Sequence, residues 1–326
     1  MTNNEYQRLL RAARKSYPRL TRETMTELRK IYIKAGNLAA AAVREAERSG
    51  MADLTVRSWE AITQQLEAGS TLIVNDLADR IPATVISGVG RTNRIHERYI
   101  WEAVKAAGAD DRISRVGVHN LYTSVNDRVI RSLVNRMYQD GYTLSDRVWR
   151  VGRSYRNQIR EVIGAGLSQN RDLVKVAKDV QVYVADGKVA LANRFGQLER
   201  GTSDFMRRIG NKVDWRALRL VRSELYSSLQ EASKEQGHMN PGSTDMYDWV
   251  LEVNRQQWGC TCPDLAAAGP YAYQDVPGYP HSNCQCDIRP VMRNGNDFVS
   301  DLKSWVSGER VGYLDDWYRQ YYTPVA

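Results

Sequence analysis

Only two prolines, Pro18 and Pro82, interrupt the first 240 residues of this 326-residue chain, and the other seven follow. Proline removes a backbone donor and breaks regular structure, so a long stretch nearly free of it has room for long helices. That stretch is also rich in Ala, Leu, Arg, Glu and Gln, and it lacks the two-residue alternation of strands. All four cysteines, Cys260, Cys262, Cys284 and Cys286, lie in the proline-rich remainder. Charge breaks at the same place. Residues 1–240 hold 40 Lys and Arg against 27 Asp and Glu, and residues 241–326 hold 6 against 11. A basic body therefore precedes an acidic C-terminal region, and the turn-rich run His238-Met239-Asn240-Pro241-Gly242-Ser243 marks the boundary.

Pattern and capping signals predict a series of helices. Thr24-Met25-Thr26-Glu27 has capping-box spacing ahead of a helix to about Gly50. A second helix covers 53–80 and stops before Pro82. Ser87-Gly88-Val89-Gly90 breaks the segment 83–108. Helices follow over 112–139, 145–166 (capped by Ser145), from Ser168 to 185, over 189–209 and over 214–236. Beyond the boundary, Asp248–Val253 and Cys286–Val291 read as strands flanking a loop rich in proline and glycine. The expected fold is mainly α: an elongated multi-helix N-terminal body with a small α+β zinc-knuckle-like C-terminal module. No run approaches the ~18 apolar residues of a membrane span, so no membrane is expected as a partner. The polar N-terminus reads as a cytoplasmic start without a secretion signal.

The helix over 145–166 places Val148, Val151, Tyr155, Ile159 and Val162 in one narrow sector. Arg147, Arg150, Arg153, Arg156 and Arg160 fall opposite, with Trp149 among them; Asp146 and Glu161 dilute that face. The helix upstream adds Arg128, Arg131 and Arg136. Such a face is either simply solvated or a phosphate-contacting surface. Guanidinium matches phosphate as a two-pronged donor, and such binding is sequence-independent and salt-sensitive. The expected partner is double-stranded DNA, bound non-specifically, since no base-reading motif accompanies the arginines.

The cysteines form Cys260-x-Cys262, then His281-x-x-Cys284-x-Cys286. In a reducing compartment, two close pairs brought together by a hairpin suit a tetrahedral Zn²⁺. His281 is a fifth donor for four positions, either replacing a cysteine or hydrogen-bonding to a thiolate. Disulfides, free thiols and a catalytic metal are the alternatives. Four filled positions leave none for water, so the expectation is a structural ion and no enzyme activity.

Other residues carry less. His96-Glu97 begins a zinc-protease helix motif, but Ile100 stands where its second histidine would be. Gly88-Val89-Gly90 has neither the third glycine of a dinucleotide loop nor the lysine of a P-loop. Arg222 and Glu224 fit a structural ion pair better than catalysis. His119 and His238 stand alone in sequence. The tail aromatics Tyr313, Trp317, Tyr318, Tyr321 and Tyr322 suit either packing onto their own domain or docking on a partner.

An ordered series resembles the Mu F-type minor head (head morphogenesis) family of tailed bacteriophages. It runs from Leu144-Ser145-Asp146-Arg147-Val148-Trp149 through Gly166-Leu167-Ser168, Arg222-Ser223-Glu224 and Trp249. It ends at Pro280-His281-Ser282-Asn283-Cys284-Gln285-Cys286, its most specific part. The resemblance covers about residues 140–292. It departs at the first cysteine pair, where the family often has Cys-x-x-Cys after an Asp-x-Arg-Thr-like run and this chain has Asn254-Arg255-Gln256-Gln257-Trp258-Gly259-Cys260-Thr261-Cys262. The resemblance implies a minor capsid protein assembled in the host cytoplasm and located inside the phage head near the portal. Its partners would be the portal protein, the capsid interior and packaged DNA, and its role would be to assist assembly, packaging or ejection. With that family in view, the chain divides into a helical region 1–110, a basic Mu F-like body 111–240, a cysteine-rich hairpin module 241–295 and an aromatic-rich tail 296–326. A metal-dependent enzyme or toxin-like effector acting on nucleic acid or protein is the alternative. A zinc-containing host regulator is a third, and it would bind specific bases.

Overall fold

The computed structural model describes residues 1–48, 56–138, 140–169, 171–195, 206–252, 260–282 and 284–322. Its helices are α1 (Asn3–Lys15), α2 (Tyr17–Arg48), α3 (Val56–Ala107), α4 (Arg115–Asn135), α5 (Leu144–Ser168), α6 (Leu173–Asp186), α7 (Lys188–Phe195) and α8 (Trp215–His238). After α8 come β1 (Ser243–Val250), α9 (Cys262–Ala268), β2 (Tyr271–Ala272), β3 (Asp287–Met292), α10 (Gly295–Val306) and α11 (Gly312–Tyr321). The mainly α fold with a small C-terminal sheet is as expected. That sheet is antiparallel, in the order β2-β1-β3. No helix among the described residues is long and apolar enough to cross a membrane. The expected ends at Gly50, residue 53, Gln139 and Val253, and the middle of the helix expected over 189–209, lie outside the described residues.

Several boundaries differ from the sequence reading. Helix α2 begins at Tyr17 rather than near Thr24, with Pro18 in its first turn, where a missing N–H costs nothing. Thr24 is a buried interior position instead. Neither Pro82 nor Ser87-Gly88-Val89-Gly90 interrupts α3. Leu77, Ile81, Val85 and Val89 recur at four-residue spacing on both sides of the proline, and each is buried. Packing of that stripe outweighs the lost hydrogen bond. Gly88 is helical because α8 comes close: a Cβ there would lie 3.0 Å from Leu229 Cδ2. Thr143, not Ser145, caps α5, in a capping box with Asp146. Asp172, not Ser168, caps α6, and Ser168 ends α5. His119 and His238 are not isolated: they lie 3.2 Å from Glu97 and 2.7 Å from Asp245.

The chain forms two compact units, one of residues 1–21, 82–135 and 222–326, the other of 22–81 and 136–221. In the first, the core holds Tyr6, His96, Tyr99, Tyr122 and Phe298. The Tyr6 hydroxyl lies 3.1 Å from His96 Nδ1, and the Tyr99 and Phe298 rings stack. The aromatic tail folds back into this core. Leu314, Trp317 and Tyr322 are buried, and Trp317 Nε1 donates to the Met239 carbonyl at 2.8 Å.

In the second unit, the sector Val148, Val151, Tyr155, Ile159 and Val162 of α5 is buried. Gly166 lets α6 approach, since a Cβ there would meet Val176 Cγ2 at 2.7 Å. Asp179, fully buried, is flanked by Arg171 at 3.0 Å and Arg194 at 2.7 Å.

Candidate functional site

The sheet explains how distant cysteines meet. Strands β1 and β3 pair with Val250 opposite Asp287 and Trp249 opposite Ile288. The end of β1 is thereby fixed beside Cys286, which directly precedes β3. The chain returns through Cys260 and Cys262, and α9 begins at Cys262 with Pro263 in its first turn. Tyr247, Trp249 and Ile288 pack around Cys262, Cys284 and Cys286 in one buried cluster.

Two overlapping sets of donors result: Cys262, Cys284 and Cys286, all buried, and Cys260, Cys262 and His281. Within each set the donor atoms lie within 4.8 Å of one another. Cys262 belongs to both. Its sulfur is 3.7 Å from that of Cys284 and 3.2 Å from His281 Nε2. All four cysteines are free thiols, so no disulfide staples the module. Thiolates bound to one tetrahedral zinc at ~2.3 Å would sit about 3.8 Å apart, close to the spacing found. His281 Nδ1 lies 3.1 Å from the Ser282 carbonyl. Donation to that carbonyl puts the proton on Nδ1 and leaves the Nε2 lone pair facing the sulfurs, the tautomer a metal ligand needs.

Cys286 is held down to about 6, first by the Cys284 thiol donating to its sulfur, then by the Glu252 amide, Cys262 and the Trp249 indole; burial opposes them. Cys284 is pushed up by that same shared proton and by burial. Cys262 is pushed up to about 12, chiefly by burial. Burial and mutual repulsion thus oppose ionising all three sulfurs together. A bound cation removes that penalty. The buried cysteine cluster can thus hold a metal ion. Glu224 is buried and acts electrostatically on Tyr279, whose hydroxyl donates to the Cys284 carbonyl. Asp264 is exposed on α9.

The sequence-predicted arginines fall in different units. Arg128 and Arg131 lie on α4 in the first, and Arg136, Arg147, Arg150, Arg153, Arg156 and Arg160 in the second. Several are engaged. Arg128 pairs with Glu235 at 3.5 Å, Arg147 pairs with Asp140 at 2.9 Å and covers Tyr138, and Arg156 pairs with Glu67. Arg136 lies over Tyr138 and Arg150 over Tyr142. Arg131, Arg153 and Arg160 are exposed and make no ion pair among the described residues. Helical periodicity saw only the diluting charges on α5; Asp140 and Glu67 come from other segments. It also missed Arg207, Arg208, Trp215 and Arg216, which line a concavity with Arg150 and Arg153. The pair Arg207-Arg208 was a visible signal.

No family model, curated protein or solved structure matches this chain.

Proposed function

We propose that this protein is a non-enzymatic bacteriophage minor head protein of the Mu F type, held in the virion near the portal and touching packaged DNA. One observation carries the reading: His281, Cys284 and Cys286 of the Pro-His-x-x-Cys-x-Cys signature meet Cys260-x-Cys262 in two donor sets that share Cys262. Two cysteine pairs brought together at that place agree with the resemblance. Zn²⁺ is the ion their sulfur-rich donor set favours. When bound, it would sit within the module's buried cluster and lock its loops to the sheet. Five donors compete for four positions, so a vacancy for substrate, which the enzyme alternative needs, is not favoured. Exposed Arg131, Arg153 and Arg160 support the contact with DNA, and its strength should fall with salt.

The test is to quantify the protein in purified virions and in DNA-emptied ghosts. Presence in virions is expected. Absence from both preparations would sink the proposal, and loss from ghosts alone would assign the protein to the ejected material.

A further inference from the structure

Arginines converge on one concavity in the second unit. Its first wall is α5, where Arg150 and Arg153 are followed along the same face by Gln158 and Glu161. Its second wall is the helical stretch 206–208 and the start of α8, with Arg207, Arg208 and Arg216. The cavity measures about 590 Å³. Five guanidinium groups line it beside one carboxylate, Glu161, which Arg208 approaches to 2.8 Å.

The floor is built rather than incidental. Gln158, buried, accepts from the Gly210 amide at 3.0 Å and from the Tyr183 hydroxyl at 2.6 Å. Gly210 has no room for a side chain, because a Cβ would sit 2.3 Å from Trp215 Nε1. The Trp215 ring is thereby seated at the groove, still 38% exposed. The Arg216 guanidinium lies over one face of that ring, 5.0 Å from its centre, and leaves the other for a base.

We infer that this groove binds single-stranded nucleic acid, its arginines holding the sugar–phosphate backbone and Trp215 stacking an unpaired base. The chemistry of the two walls selects the ligand. Guanidinium groups on both sides suit a polyanion held from two directions. An exposed indole beside phosphate-binding groups offers stacking energy only to a base already out of its pair. The inference rests on reading these arginines as phosphate ligands, and it narrows that reading from duplex to single strand at this site.

The test uses the full-length chain, a labelled oligothymidylate and a duplex of equal length, with affinity followed by fluorescence anisotropy across a salt series. The single strand should bind more tightly at every salt concentration. The double variant Arg153→Ala, Arg216→Gln should weaken binding and flatten the log–log salt dependence by about 0.7 for each phosphate no longer neutralised. Trp215→Leu should weaken single-strand binding roughly tenfold with the salt dependence unchanged, because stacking releases no counterions. Trp215→Phe should recover most of that affinity, and this rescue separates stacking from a folding defect. Duplex binding as tight as single-strand binding, or arginine variants with unaltered salt dependence, would overturn the inference alone. Binding of neither nucleic acid would overturn the phosphate-binding reading with it.

Discussion

The Tyr322 ring lies directly over Gly117, and a Cβ at that glycine would come within 2.4 Å of it. The Tyr322 hydroxyl accepts from the Ser114 amide at 2.6 Å, so the chain's C-terminal region is fastened to the start of α4. Gly117→Ala should displace the ring and cost about 1–3 kcal/mol. Thermal unfolding measures the loss. In a double-mutant cycle, Tyr322→Ala should absorb most of it, since the clash is gone; simple additivity would contradict the packing of ring on glycine.

Cys262 belongs to both donor sets. Cys262→Ser should therefore lower metal content further than Cys260→Ser or His281→Ala, either of which leaves the buried trio Cys262, Cys284 and Cys286 in place. Elemental analysis of the purified variants gives the ranking directly. Chelation of the wild-type protein should also lower its unfolding temperature, because binding to such a site is coupled to folding. Equal metal content in all three variants would refute the shared-ligand arrangement.

Burial holds His96 down to about 3, with Arg14 adding to the effect. The imidazole is neutral in the folded state, whereas the unfolded chain takes up a proton near 6.5. The unfolded state then binds more protons, so stability is full above that value and falls as the pH drops from 6.5 towards 3. The loss at the acid end is on the order of 5 kcal/mol. His96→Phe, read by urea unfolding across this range, should show a flatter acid limb even if it is less stable at neutral pH. An unchanged limb would mean that His96 is not the group responsible.

Arg14 pairs with Asp287 and donates to Ser233 Oγ at 3.0 Å and to the Ile288 carbonyl at 3.1 Å. Burial raises the Asp287 pKa above the usual carboxylate value, and Arg14 and Arg289 pull it back. A raised folded pKa means that stability declines as the pH rises through it. Arg14→Met should cost about 1–3 kcal/mol at neutral pH, because it removes one of the two cations beside Asp287 and leaves Arg289, 3.1 Å away, as the other. Part of the loss should return in acid, where Asp287 takes up a proton. Urea unfolding at two pH values distinguishes this outcome from a uniform packing defect.

The helical texture was readable because apolar positions recur at helical spacing, and the buried sector of α5 lies where that spacing put it. The cysteine spacing was readable too, since paired thiols need only a hairpin to meet. Continuity of α3 through Pro82 was not. It depends on the burial of Leu77, Ile81, Val85 and Val89 on both sides of the proline, and a local breaker signal does not weigh that packing. Capping was misjudged by two residues at α5, where Ser145 and Thr143 are both suitable caps and only the backbone conformation selects Thr143. The arginine face was half legible. Periodicity arranges the charges of one helix, but it cannot show that Glu67 neutralises Arg156 or that Arg207 and Arg216 stand across from Arg150.

Gln158 ties the concavity in the second unit to that unit's interior. Besides the two bonds its oxygen accepts, its amide nitrogen donates to the Ser154 carbonyl at 3.2 Å and lies 3.5 Å from that of Val213. An amide satisfied on so many sides has little freedom to turn. The recess is therefore preshaped by the same packing that stabilises its unit, and an incoming ligand is spared the entropic penalty of ordering it.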